Sequence, residues 1–329
     1  MWDFSISRSL DLMVKTMPFI VFRVVVYAGI AVAYVLVTGV GAGVGWGVGA
    51  FGDEDFRAAS IFWGGATGFG LTAGVLYFLR EYILYIVKAG HIAVLVKLLD
   101  GEDVPDGQNQ ISHASSVVQQ RFAEASVLFA IDQLVKGVLA AIVGLVQGIA
   151  SLLPIPGLQN LVAVFRAFLK IAVGFVDEVI LAYSIRTNSV NPWASAQTAL
   201  VLYAQNYKVM LKNAAWLTLI TYGLAFVVFL VMLAPAAALV YLIPGGWSAG
   251  GFIFALIFAW AVKVALIEPF AIASMMQVYF RAIEDQSPDP AWDERIGSVS
   301  RKFQELKDKA AVWVGGRGST GGRTPGAAG

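Results

Sequence analysis

The chain has 329 residues, of which 58% are hydrophobic and only 14% charged, and its mean hydropathy of +0.72 is too high for a water-soluble domain. The absence of cysteine excludes disulfides, thiolate metal sites and cysteine nucleophiles, and the two histidines, His91 and His113, stand too far apart for a HExxH-type motif, so neither metal nor cofactor is expected. A formal net charge of +1 hides a strong asymmetry along the chain.

Residues 1–17 repeat apolar side chains at helical spacing, Trp2, Ile6, Leu10, Met13 and Met17, with Asp3, Arg8, Asp11 and Lys15 between them, as in a helix lying in the membrane interface. Residues 18–285 are expected to form an all-α, polytopic transmembrane bundle. About six spans are long and apolar enough for a hydrocarbon core of about 30 Å, near 18–40, 58–79, 138–153, 161–183, 214–242 and 251–275. The third is short unless its helix begins earlier, and the fifth is long enough to tilt. Pro154-Ile155-Pro156-Gly157 and Pro244-Gly245-Gly246 mark hairpin tips, because proline and glycine end helices. Further amphipathic helices are expected in the cytoplasmic loops, where Asn191-Pro192-Trp193 reads as an N-cap, a first-turn proline and an interface aromatic opening a helix toward Asn213. Within 286–314, Trp292, Ile296, Val299, Phe303, Leu306, Ala310 and Trp313 alternate steps of four and three, a seam suited to a membrane surface or another helix. The glycine-rich tail 315–329 has the composition of a disordered linker.

Lys and Arg crowd both ends and two alternate loops: Arg8 and Lys15; Arg80, Lys88, Lys97, Arg121 and Lys136; Arg186, Lys208 and Lys212; then Arg281 onward. Arg57 stands alone in the opposite loops, beside Asp53, Glu54 and Asp55. Both termini are therefore expected in the cytoplasm, with the chain in a bacterial cytoplasmic membrane and its first span uncleaved.

The run Gly39-Val-Gly-Ala-Gly-Val-Gly-Trp-Gly-Val-Gly49 lacks the Lys and Ser or Thr of a phosphate loop. As an ion filter it would have to re-enter the membrane between two pore helices. As a helix, its glycines divide into Gly39, Gly43 and Gly47 and, on the opposite side, Gly41, Gly45 and Gly49, two small-residue faces that allow close packing on two neighbours.

Charges inside a membrane are expensive and mark function by default. Arg166, Lys170 and Asp177 share one stripe of the fourth span with Glu178 a quarter-turn away, and Lys263, Glu268 and the helix-breaking Pro269 lie in or beside the sixth. These six charges are the candidates for a substrate pathway, and a structural ion network between helices is the other reading. Arg23 lies near the inner start of the first span, where snorkelling suffices. Tyr183, Tyr203, Trp216 and Trp260 are candidate aromatic walls. Asp177 and Glu178 are adjacent in sequence and point about 100° apart on a helix, so they cannot flank one bond as acid and base. With no hydrolase elbow either, no enzyme activity is expected. The basic residues are spread along membrane flanks, which excludes nucleic acid as a partner.

Three stretches resemble the choline transporter-like family of membrane proteins. They are Gly65 to Leu76 leading into Arg80-Glu-Tyr-Ile-Leu-Tyr85, Gln197 to Asn213, and Val278-Tyr-Phe-Arg-Ala-Ile-Glu-Asp285. The resemblance spans roughly residues 60 to 290 and implies organic-cation transport; the family has more spans and cysteine-rich segments, and no binding residue is carried over. The expectation is a transporter or channel-like protein moving a small polar or cationic solute along spans four and six. The alternative is a non-transporting scaffold or accessory subunit; its partners would be the lipid bilayer and a second copy or another membrane protein.

Overall fold

The structure is a computed structural model that describes residues 1–79, 85–104, 108–122, 127, 130–141, 176–240 and 248–313. Every regular element among these residues is helical: α1 (Ile6–Lys15), α2 (Met17–Gly49), α3 (Glu54–Leu79), α4 (Tyr85–Leu99), α5 (Gln108–Phe122), α6 (130–141), α7 (Val176–Arg186), α8 (Pro192–Gln205), α9 (Tyr207–Val240), α10 (Ser248–Val262), a π-turn (Lys263–Ile267), α11 (Glu268–Ala282), α12 (Pro290–Val299) and α13 (Arg301–Val312).

Among the described residues, four stretches are long and apolar enough to cross a bilayer: Met17–Gly49, Glu54–Tyr77, Tyr207–Val240 and Gly251–Ala282. They correspond to the expected first, second, fifth and sixth spans. The expected third and fourth spans, and the Pro154 and Pro244 turns, lie wholly or mostly outside the described residues; only 138–141 and 176–183 of those spans are seen. The 33 residues of α2 rise about 50 Å, well beyond a core of about 30 Å, so this helix extends past the lipid it must cross.

The glycine run stays helical to Gly49, so it forms no re-entrant filter. Its two faces have different fates. A Cβ on Gly41 would lie 2.2 Å from the Gly64 carbonyl oxygen, and one on Gly45 2.0 Å from that of Ser60; Gly49 abuts Arg57. That face lies backbone to backbone on α3, and Gly64 and Gly68 return the contact from the other side. Gly39, Gly43 and Gly47 have nothing within 4 Å. The expected sandwich between two neighbours is thus, among the described residues, a contact on one side only. A second hairpin pairs α9 with α10, and α10 leans on α2.

Below the hairpins a single core joins α4, α6, α7, α8 and α11 with the start of α9, and α12 and α13 cover it. Twelve consecutive residues of α11, Pro269 to Phe280, are buried there. The helix expected to run toward Asn213 stops at Gln205, where Asn206 turns the chain and donates its Nδ2 to the Leu202 carbonyl. The membrane helix α9 then begins at Tyr207. The amphipathic stretch 286–314 is two helices, broken at Ser300, whose extended backbone leaves its hydroxyl to cap Phe303 N–H. Its apolar seam turns inward onto α8: Ile296, Phe303 and Leu306 are buried, each burial contributing about 1.5–3 kcal/mol, while Val299 is exposed. Asn191 fastens this layer, accepting from Ala194 N–H as the α8 cap and donating Nδ2 to Ala310 O at 2.7 Å.

Candidate functional site

The candidate charges among the described residues gather in two clusters. The first lies where α4, α6 and α7 meet. Asp132 and Lys136 are one helical turn apart on α6, and Lys136 Nζ reaches Asp132 Oδ2 at 2.6 Å. Asp177 and Glu178 occupy the first turn of α7, both buried in the side of the helix that faces α4 and α6. Lys88 of α4 enters between them, pairing with Glu178 and standing 3.5 Å from Asp177 Oδ2; Lys136 stands 4.0 Å from the same oxygen. Burial works against the Lys88 ammonium, but Asp177 and Glu178 more than offset it and hold the lysine charged, well above the ordinary range. For Asp132 burial prevails: with Asp177 as neighbour, it pushes the carboxyl up to about 6 despite Lys136. Among the described residues the cluster holds three carboxyl groups against two ammonium groups. Two of its oxygens, Asp132 Oδ1 and Glu178 Oε2, are buried without a hydrogen-bond partner.

The second cluster lies where the sixth span changes winding. Pro269 has no N–H to give to the helix ladder. The preceding turn opens into a π-turn in which Glu268 N–H reaches back five residues to the Lys263 carbonyl. In that register the next amide would belong to residue 269, and the Val264 carbonyl is left free. Arg23 of α2 fills the gap, its Nη2 donating to Val264 O at 2.6 Å, with Glu268 Oε2 at 3.5 Å. Lys263 pairs with the other Glu268 oxygen at 2.9 Å and lies over the Tyr222 ring. Pro269 therefore does not break the sixth span; it changes its pitch. Arg23 does not snorkel either, because its guanidinium is 6% exposed and faces the helix backbone rather than the lipid headgroups.

His91, the buried imidazole between the two regions, stacks on Phe19 at 5.2 Å with its Nε2 2.9 Å from Thr16 Oγ1. Burial and the nearby Arg23 push its pKa down to about 3, which keeps it neutral. Among the described residues no group of acidic, histidine or cysteine side chains is arranged to hold a metal ion.

Of the pathway candidates, Asp177 and Glu178 meet Lys88 and Lys136, while Lys263 and Glu268 meet Arg23; the two pairs do not meet each other. Arg166 and Lys170 lie outside the described residues. The aromatic candidates also separate. Tyr183 and Tyr203 both pack on Tyr279, whose hydroxyl donates to Ala199 O, whereas Trp216 meets Trp2 and Trp260 meets Tyr27. Sequence reasoning missed Asp132 entirely and treated Lys88 and Lys136 as flank charges. The one signal for them was the i, i+4 pairing of Asp132 with Lys136.

No protein-family model, curated protein or solved structure matches this chain.

Proposed function

We propose that this chain is a transporter or channel-like membrane protein for a small polar or cationic solute, with about six spans and both termini in the cytoplasm. In this reading Asp177 and Glu178 on one side, and Lys263 and Glu268 on the other, line the inner part of its route. One observation carries the preference for a cation: among the described residues, the buried cluster of Asp132, Asp177 and Glu178 exceeds its lysines by one carboxyl group and leaves two carboxylate oxygens unpartnered. A buried surplus of negative charge lowers the energy of an entering cation and raises that of an anion. Choline-type cations are the first solutes to test, given the resemblance of three stretches to the choline transporter-like family. Vesicles reconstituted with the protein should take up choline or an alkali cation in preference to an anion, and the double variant Asp177→Asn, Glu178→Gln should abolish uptake while the protein remains folded. Absence of flux for every solute would overturn the reading.

The open face of Gly39, Gly43 and Gly47 supports a second reading, a scaffold or accessory subunit that packs against another membrane protein or a second copy. That reading expects vesicles without flux and efficient disulfide cross-linking of the variant Gly43→Cys in native membranes.

A further inference from the structure

The cluster at α4, α6 and α7 has a property that does not depend on whether a solute is carried. Its five charged groups come from three helices: Lys88 from α4, Asp132 and Lys136 from α6, Asp177 and Glu178 from α7. Gln133 also donates to Asp132 Oδ2, at 3.3 Å. Glu268 of α11 acts on the cluster through Lys88, and Lys302 of α13, paired with Glu305, packs on α6 at Gly137. Lys136 bridges Asp132 and Asp177, and Lys88 bridges Asp177 and Glu178, so the three carboxyl groups sit side by side.

With every group ionised, two ammonium groups face three carboxylates among the described residues, which leaves one buried negative charge without a counterion among them. Asp132 Oδ1 and Glu178 Oε2 also stay without a donor. Both deficits have one remedy, because a carboxylic acid carries an O–H that a carboxylate lacks. A proton on Asp132 or Glu178 removes the surplus charge and turns one of the two unpartnered oxygens into a donor, as when two close carboxyl groups share a single proton. The two lysines already occupy the space between the carboxylates, and no metal-binding arrangement is present among the described residues. In the space between the carboxylates themselves, the proton is therefore the cation that fits, whatever solute passes beside them.

We propose that Asp132, Asp177 and Glu178 form a proton-binding site that takes up one proton from water, and that the protonated form is the one that holds α6 against α7. The upward displacement of Asp132 to about 6 sets where exchange should fall. A carboxyl whose pKa is raised by folding stabilises the fold below its ordinary value, near 3.9, and loses that contribution as pH rises through the folded value. The protein should therefore loosen between about pH 4 and about pH 6 and change little above that range.

Infrared difference spectra of the purified full-length protein in detergent, titrated from acid to alkaline pH, test this directly. The expected result is a protonated-carboxyl band that bleaches with a midpoint near 6, together with a fall in Tm as pH rises from about 4 to about 6; both changes should be absent in Asp132→Asn. A wild-type protein with no such band and a flat Tm, or a band with the same midpoint in Asp132→Asn, overturns the proposal. If Asp132→Asn does not fold, Lys136→Gln takes its place. Loss of that ammonium should raise the midpoint by about one unit or more, and an unmoved midpoint overturns the proposal as well. No flux is measured, so the result is independent of whether the transport reading holds.

Discussion

Replacing Gly45 by alanine puts a methyl carbon 2.0 Å from the Ser60 carbonyl oxygen and 2.6 Å from its carbonyl carbon. Optimal non-bonded contacts need about 3.5–4.0 Å, so the two helices must separate by more than 1 Å along this line. Neither atom belongs to a side chain that can rotate away. Overpacking of this kind costs about 1–3 kcal/mol, and contact with backbone places it at the upper end. Alanine returns up to about 1 kcal/mol through helix propensity, leaving a net loss of about 2 kcal/mol. Gly41→Ala should behave similarly, with its methyl 2.2 Å from the Gly64 carbonyl oxygen.

Gly43→Ala, one residue from Ala42 and on the opposite face, meets nothing within 4 Å and should be neutral or stabilising by up to about 1 kcal/mol. The two faces of one helix should therefore differ by about 3 kcal/mol for the same chemical change. Titration of the folded fraction with a denaturing detergent, in a mixed-detergent background, measures the difference. Equal losses for Gly43→Ala and Gly45→Ala would refute the reasoning, since they would require the open face to carry a contact as close as the α3 face.

Three further outcomes follow from single contacts. Arg23→Met should cost about 1–3 kcal/mol by leaving the buried Val264 carbonyl unpaired. Pro269→Ala restores an amide in register with that carbonyl and should recover part of the loss, so a thermal-unfolding double-mutant cycle that adds exactly as two independent changes would reject the account. Asn191→Ala removes both the α8 cap and the bond to Ala310 O, about 1 kcal/mol for each, and should expose α13 to limited proteolysis; Asn191→Ser keeps only the cap and should lie between. The natural absence of cysteine allows a single spin label at Leu10→Cys, where the exposed stripe Ile6, Leu10, Val14 continues the apolar face of α2. The label should relax with dissolved oxygen and not with a water-soluble nickel complex, and the opposite pattern would place α1 in water.

How much of this could be read in the sequence depends on whether the governing interaction is local or comes from elsewhere in the chain. The first two spans and the last two follow from apolar length alone, because lipid imposes one rule on every backbone amide. Ser300 shows the opposite case. The seam from Trp292 to Trp313 keeps its period across the break, so periodicity alone predicts one helix; the extended Ser300 and its hydroxyl cap make two, and packing on α8 selects the faces that are buried. The charges divide in the same way. Asp177, Glu178, Lys263 and Glu268 stood out because they lie in or beside apolar stretches, but their partners are set by tertiary contact. Lys88 and Asp177 lie far apart in the chain, and Arg23 meets Val264 across 241 residues. A hydropathy profile scores Arg23 by its neighbours in sequence and sends it to the nearest water. The structure gives it a carbonyl instead, one that became available only because Pro269 lacks an N–H. The proline and the arginine explain each other, and neither explains its own position when read alone.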